Sequence, residues 1–389
     1  MTRETSDFAA RRHFLASSVA GAASLLVPRV TFAAAPSERR LVFIIQRGAA
    51  DGLHLVPPLG DPDYARQRRE LALDPSACQR LDGIFGLHPA LVETGRLYSA
   101  GQALFVHAVA SRYRDRSHFD GQNVIETGGS APYQLKDGWL NRLAAMLQPQ
   151  GAPPMAFAPT VPIALRGDAA VTSFAPSRLP QPGDELLARV EMLYRHDEPL
   201  HALWSAAMQT RQMAGERTKD QDPAAVARVA ATFLARADGP RIAMMETTGW
   251  DTHNQQGARL DRLLRGFDAM IAALRDGLGP AWKDTTLLVA TEFGRTVAVN
   301  GTGGTDHGTA SAAMVLGGAV QGGRVIADWP GLSASALFAN RDLQPTSSLE
   351  ALILAVAAQT FTLDPQEVGR RVMGGLAPAA TFHGVLRRG

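Results

Sequence analysis

Along this chain the apolar positions gather into short unbroken runs separated by longer segments with helical spacing. Leu41–Gln46 is the clearest run, β-branched and apolar throughout, and it stops at Arg47-Gly48. Similar runs occupy Ala103–Val109, Arg241–Glu246, Thr285–Thr291 and Ala312–Leu316. Strict alternation would mark a strand with one wet face; continuous runs predict strands covered on both faces, as in a parallel sheet. Between them, Phe119–Thr127, Val226–Ala237, Leu260–Leu274 and Ser348–Gln359 carry helix-like patterns. Strands alternating with helices predict an α/β domain built on a mostly parallel sheet.

The middle of the chain breaks this rhythm. Pro149, Pro153, Pro154, Pro159, Pro162, Pro176, Pro180 and Pro182 crowd residues 149–184, which predicts an irregular, partly extended excursion. A polar helical pattern follows over Glu185–Arg217. Residues of about 150–225 therefore read as an insertion or cap over the sheet rather than an independent domain.

The N-terminus carries a different message. Arg11-Arg12-His-Phe-Leu approaches the pattern read by the twin-arginine export machinery, and the uncharged stretch Leu15–Val27 is too short to span a bilayer. Small residues at Thr31-Phe32-Ala33 place cleavage after Ala33, giving a signal peptide over 1–33 and a mature chain of 34–389 in the periplasm or outside the cell. This segment also owns the net charge. The whole chain has 39 basic and 37 acidic residues; removing Arg3, Arg11, Arg12 and Arg29 together with Glu4 and Asp7 leaves 35 of each. A neutral mature chain with scattered arginines gives no nucleic-acid footprint. No other apolar run reaches the length of a membrane span. The single cysteine, Cys78, excludes an internal disulfide, so stability must come from core burial.

In parallel α/β sheets, ligands gather in loops beyond the carboxyl ends of strands. Four such loops here are rich in Asp, Glu and His. Asp51, in Arg47-Gly-Ala-Ala-Asp-Gly52, can hold a cation, or can simply belong to an Asp-Gly turn. Arg112, Arg114 and Arg116 precede Ser117-His118-Phe-Asp120. Ser117 is placed to be a nucleophile at a helix N-terminus, or to form an S-x-x-D capping box with Asp120. Asp251 and His253, in a glycine-containing loop beside Trp250, suit one metal ion. Glu292 ends a very apolar strand, where an unpaired carboxylate is costly. Arg295 follows it, and Asp306-His307 lie in the glycine-rich stretch Gly301–Gly308.

Taken together, Arg47-Gly-Ala-Ala-Asp51-Gly, Arg116-Ser-His-Phe-Asp120, Gly249-Trp-Asp-Thr-His253, Thr291-Glu-Phe-Gly-Arg-Thr296 and Gly303-Gly-Thr-Asp-His307 resemble the exported family called domain of unknown function 1501, a branch of the alkaline phosphatase and sulfatase superfamily. The resemblance runs over essentially the whole mature chain. It implies an alkaline phosphatase-like sheet with helices on both faces and an inserted cap. It also implies a divalent metal (zinc, magnesium, manganese or calcium) and hydrolysis of phosphate or sulfate esters. On that pattern Asp51, Asp251, His253, Glu292, Asp306 and His307 would hold metal and Ser117 would attack. Arg116 and Arg295 would stabilise oxyanion charge, and His118, His253 or His307 would move a proton. Two departures stand out. Glu292-Phe293 replaces an Asp-His pair, and Asp251 and His253 are two apart instead of four. These leave open a single-metal or metal-free pocket, an accessory protein that binds an anionic small-molecule or envelope ligand without turnover, and a purely structural cation.

Overall fold

The protein is described here by a computed structural model covering residues 38–147, 152–176, 183–214 and 222–387. The signal sequence expected over 1–33 lies outside the described residues.

The centre of the molecule is a nine-stranded sheet. Its strands are β1 (Arg40–Gln46), β4 (Ala103–Ala110), β5 (Met155–Ala156), β6 (Thr172–Ser173), β7 (Ile242–Thr247), β8 (Thr285–Ala290), β9 (Ser311–Leu316), β10 (Arg324–Ile326) and β11 (Ser347–Ser348). The small pair β2 (Gln79–Arg80) and β3 (Gly86–Leu87) forms a separate ribbon. Strand order is β10-β4-β9-β8-β1-β7-β5-β6, with β11 also paired to β4. Every pairing in the large sheet is parallel except those of β9, which runs against both β4 and β8.

β1 shows why the runs are unbroken. All seven of its residues are buried. Leu41, Phe43 and Ile45 join a core under the helices Trp139–Leu147 and Leu349–Phe361. Val42 and Ile44 join the core on the opposite face, under Val92–Ser99, Pro223–Leu234 and Gln256–Leu278. Two apolar faces leave no polar position to alternate with. Among the described residues no helix is long and apolar enough to cross a membrane.

The proline-rich excursion is more ordered than its composition predicts. Met155–Ala156 pairs in parallel with β7, and Thr172–Ser173 pairs with β5, so this segment extends the sheet edge. Two-residue strands have no period to read. The helices Asp184–Tyr194 and Glu198–Ala214 follow.

The reversed strand sets up the site. Because β9 is antiparallel, its amino end lies at the edge where β1, β4 and β8 have their carboxyl ends. The residues preceding Ser311, including Asp306 and His307, thus arrive beside the loops that follow the parallel strands.

Three further histidines, His54, His88 and His107, are buried. His107 donates from Nε2 to the carbonyl of Val56 at 2.9 Å and accepts the Ala108 amide on Nδ1 at 2.8 Å. Burial pushes the His107 imidazole down to about 4 and that of His54 down to about 3. A folded pKa below the unfolded value means that the unfolded chain binds the extra proton. Stability is then complete above pH ~6.5, falls as pH drops below it, and stops falling near the folded pKa. His107 alone accounts for on the order of 3 kcal/mol of this loss. Calorimetry from pH 7.5 to 4.5 should show a Tm falling below pH 6.5, with a shallower slope in His107→Gln. A pH-independent Tm over that range would contradict the burial argument.

Candidate metal centre

Three loops at this edge converge. His118 opens the helix His118–Thr127 after β4, Asp251 and His253 follow β7, and His307 precedes β9. One ligand atom each from His118, Asp251 and His307 lie within 4.8 Å of one another. His253 Nε2 lies 3.1 Å from His307 Nε2 and 2.9 Å from Asp251 Oδ1. His307 Nε2 is 3.2 Å from the same carboxylate oxygen, and His118 Nε2 is 3.5 Å from Asp251 Oδ2.

The second nitrogen of each ring explains this arrangement. His118 Nδ1 meets Glu292 Oε1 at 2.7 Å, His253 Nδ1 meets Asp306 Oδ1 at 3.1 Å, and His307 Nδ1 meets the Arg116 carbonyl at 2.9 Å. A carbonyl or an ionised carboxylate can only accept, so each Nδ1 must carry the proton. If the rings are neutral, every Nε2 is then a lone pair turned toward the Asp251 carboxylate, an arrangement that a proton or a cation between them would relieve. Two such lone pairs 3.1 Å apart repel, and His118 Nε2 is buried with no hydrogen-bond partner. Ligands of a tetrahedral zinc ion with bonds of ~2.05 Å sit about 3.3 Å apart. The individual contacts of 2.9–3.5 Å bracket that figure, with His253 and His307 on one oxygen of Asp251 and His118 on the other. His118, Asp251 and His307 therefore make a set that fits one divalent cation, with His253 against two of them as a further donor, and each imidazole is oriented from behind as metal-bound histidines usually are.

The charges agree with this orientation. Hydrogen bonding to Glu292, reinforced by Asp251, raises the His118 pKa; burial lowers that of His307. Burial works against the Asp251 and Glu292 carboxylates. It is outweighed by Arg295 at Asp251, and by His118, Gln122 and the Gly48 amide at Glu292, so both fall below the usual range. Hydrogen bonding from Asn300, with further help from His253, lowers Asp306.

The structure does not bring every predicted residue to the four. Glu292 is fully buried and accepts from Gly48 N (2.8 Å), Gln122 Nε2 (3.0 Å) and Thr291 Oγ1 (3.1 Å) as well as facing His118, so its oxygens are occupied. Asp306 stands behind His253. Asp51 is elsewhere: it caps the short helix Gly52–Leu55 through Leu53 N, forms a buried ion pair with Arg68, and accepts from Gln256 Nε2 at 2.6 Å. Arg295 is buried, donating to Asp251 Oδ1 at 2.6 Å and to Thr305. Arg116 holds a left-handed backbone (φ 62°) and directs its guanidinium at the buried Asp342, 2.7 Å away. A non-glycine residue in that region is strained, and here it carries the carbonyl that orients His307.

Ser117 is the N-cap of its helix, yet its side chain makes no capping hydrogen bond. Its amide donates to Tyr113 Oη at 3.1 Å, and Asp120 faces Tyr113 instead of closing the box. The S-x-x-D spacing has not produced a capping box.

Three supporting residues escaped the sequence reading. Gln122 lies one turn after His118, and that i,i+4 spacing was the available signal. Asn300 donates to the His253 carbonyl (2.9 Å) and to Asp306 Oδ1 (3.1 Å), binding the glycine-rich loop to its neighbour. Gly304 lies so close that a Cβ there would fall 2.2 Å from the His253 carbonyl carbon, which is why this loop needs glycine. Arg68 offered no signal.

The profile of the family described as "Protein of unknown function (DUF1501)" matches residues 38–373. No curated protein matches the chain. Among solved structures, the chain is similar to the zinc complex of the C-terminal periplasmic domain of EcEptC from Escherichia coli. That pair is 10% identical, covers 73% of this chain and 74% of the other, and has a TM-score of 0.38. The phosphonate monoester hydrolase of Agrobacterium radiobacter is 13% identical, with coverage of 87% and 78% and a TM-score of 0.35. The PsFucS1 sulfatase from Pseudoalteromonas sp. is 12% identical, with coverage of 90% and 73% and a TM-score of 0.39.

Proposed function

The chain belongs to the DUF1501 family, and we propose that this member is an exported, metal-dependent hydrolase of phosphate or sulfate esters. One observation carries the reading: three imidazoles, each with its Nδ1 committed to an acceptor, turn their Nε2 atoms toward the Asp251 carboxylate. His118, His253, His307 and Asp251 would hold one divalent ion, with Glu292, Asp306 and the Arg116 carbonyl orienting the rings and Arg295 bracing Asp251. Imidazole-rich sets suit zinc better than magnesium or calcium, which favour all-oxygen surroundings. When bound, such an ion supplies Lewis acidity toward an ester oxygen.

The chain's own groups supply the rest. Ser117 presents a hydroxyl free of capping duty at a helix N-terminus, where backbone amides favour an anion. In the proposed step the Ser117 oxygen bonds to phosphorus or sulfur, the ester's leaving oxygen departs with the hydroxyl proton as the alcohol, and water then cleaves the seryl ester to release phosphate or sulfate and restore the hydroxyl. The export part of the proposal rests on Arg11-Arg12 and the segment after them.

Metal analysis of the purified mature chain should find about one divalent ion per molecule. Turnover of aryl phosphate or aryl sulfate should be lost in Ser117→Ala while the metal is retained. Absence of both metal and Ser117-dependent turnover would sink this reading. A second reading, a non-catalytic protein that binds an anionic envelope ligand on the same scaffold, is favoured by one feature: the guanidinia of Arg116, Arg295 and Arg341 are all committed to carboxylates. In that case Ser117→Ala leaves ligand affinity unchanged.

A further inference from the structure

Two exposed aromatic rings accompany the helix that opens with His118, Phe119 on its first turn and Tyr133 in the loop that follows it. Phe119, the next residue, is 81% exposed, and Tyr133 is 65% exposed. Among the described residues these are the aromatic side chains that stand out as exposed. The other large exposed apolar residues are Ile84, Val92 and a group on the helices Asp184–Tyr194 and Glu198–Ala214. The chain has 25 aromatic residues, so the placement of these two beside a candidate metal ligand is informative.

Tyr133 is held in position. Its backbone is left-handed (φ 60°), which is strained for a bulky side chain. Its amide donates to Asn123 Oδ1 at 2.7 Å, and its hydroxyl is near enough to Asp120, one residue beyond Phe119, for that carboxylate to raise its pKa. Folding therefore fixes a strained tyrosine to the same helix turn that leaves a phenylalanine in water. Neither ring adds to the core, so core packing does not account for them. Aromatic faces exposed next to a polar site are suited to stacking against a flat apolar surface of a ligand.

We propose that Phe119 and Tyr133 form an aromatic platform that binds the ring-bearing part of the substrate, an aryl group or the apolar face of a sugar, while the anionic ester group lies at the His118–Asp251–His307 cluster. The inference rests on the proposed metal-dependent anion site and deepens it by naming the class of alcohol carried by the ester. Hydrolysis itself needs no contribution from either ring; they act on affinity and on choice of substrate.

Calorimetric titration of the metal-loaded mature protein with phosphonates, whose P–C bond cannot be hydrolysed as an ester, tests this without relying on turnover. Phenylphosphonate should bind about fivefold to tenfold more tightly than methylphosphonate, the range expected for one or two aromatic contacts. Phe119→Ala and Tyr133→Ala should each reduce that ratio toward one, with methylphosphonate affinity, metal content and Tm kept near wild type. A hexose phosphonate, with carbon in place of the ester oxygen, separates the sources in the third arm: a loss in Phe119→Ala matching that for phenylphosphonate points to sugar stacking, and a loss confined to phenylphosphonate points to aryl groups. A wild-type ratio near one, or a ratio unchanged in both variants, overturns the platform. If methylphosphonate binds while the ratio is one, the platform falls and the anion site stands; if neither phosphonate binds, both fall.

Discussion

Replacing His307 with alanine should lower the affinity for a divalent metal by more than about 100-fold while leaving the metal-free protein close to wild-type stability. The lower bound comes from the residues behind the ligands: losing an outer partner of a metal-bound histidine costs about 10–100-fold in affinity. Asp306→Asn and Glu292→Gln should therefore fall inside that range, and loss of a direct ligand beyond it. Stability should not fall in parallel, because His307 is half-buried and its Nε2 faces another lone pair 3.1 Å away. Removing one of two repelling groups costs the metal-free fold little. Titration with zinc against a competing chelator, beside calorimetry without metal, separates the two effects. Equal metal affinity in wild type and His307→Ala would remove His307 from the site.

Arg68→Met should do the opposite, destabilising the fold by about 3–5 kcal/mol with metal affinity unchanged. Arg68 and Asp51 are both buried and paired with each other. Taking away the guanidinium leaves the Asp51 carboxylate charged, buried and short of a partner. The double variant Asp51→Asn with Arg68→Met should recover at least half of the loss, since replacing both members of a buried pair is far less costly than breaking it. Urea unfolding measures the stability, and chelator competition measures the metal. The contrast tests where Asp51 belongs: a metal-ligating Asp51 freed from Arg68 should bind metal more tightly, whereas a structural Asp51 should leave affinity alone.

Asp51 also marks the limit of what the sequence could reveal. An acidic residue between glycines after the first strand reads equally well as a metal ligand and as a turn. Its partner Arg68 lies 17 positions on, in a five-residue helix with no periodicity, so nothing local distinguishes the two readings. The strands were more legible. Leu41–Gln46, Ala103–Val109, Arg241–Glu246, Thr285–Thr291 and Ala312–Leu316 each fall within a residue of an observed strand at both ends. Burial on both faces writes itself as a continuous apolar run, and that signal does not depend on neighbours. It also carries no direction, which is why the reversal of β9 was not predicted from Ala312–Leu316. β5 and β6 were missed because two residues are too few for any pattern.

The site was legible as a set of loops and not as a division of labour. Strand-end logic singled out His118, Asp251, His253, Glu292, Asp306 and His307, and the fold gathers all six. Which of them face inward depends on contacts across more than a hundred residues of sequence, such as Glu292 against His118 and Gly48. Glu292 has the residue type of a ligand, but its oxygens are taken up by His118, Gln122, Gly48 and Thr291. His118 meets Glu292 through Nδ1 and leaves its Nε2 without a hydrogen-bond partner, an arrangement that nothing in the local sequence reveals. The capping box that the S-x-x-D spacing allowed at Ser117 and Asp120, as one of two readings, is absent because Tyr113 engages both residues.

The most direct test of the central claim is X-ray absorption at the metal edge of the mature protein loaded with zinc. Convergence of three Nδ1-protonated imidazoles on Asp251 predicts one ion per chain with three imidazole nitrogens and a carboxylate oxygen at about 2.0–2.1 Å, and one imidazole fewer in His307→Ala. A shell made only of oxygen, or the same imidazole count in both proteins, would contradict it.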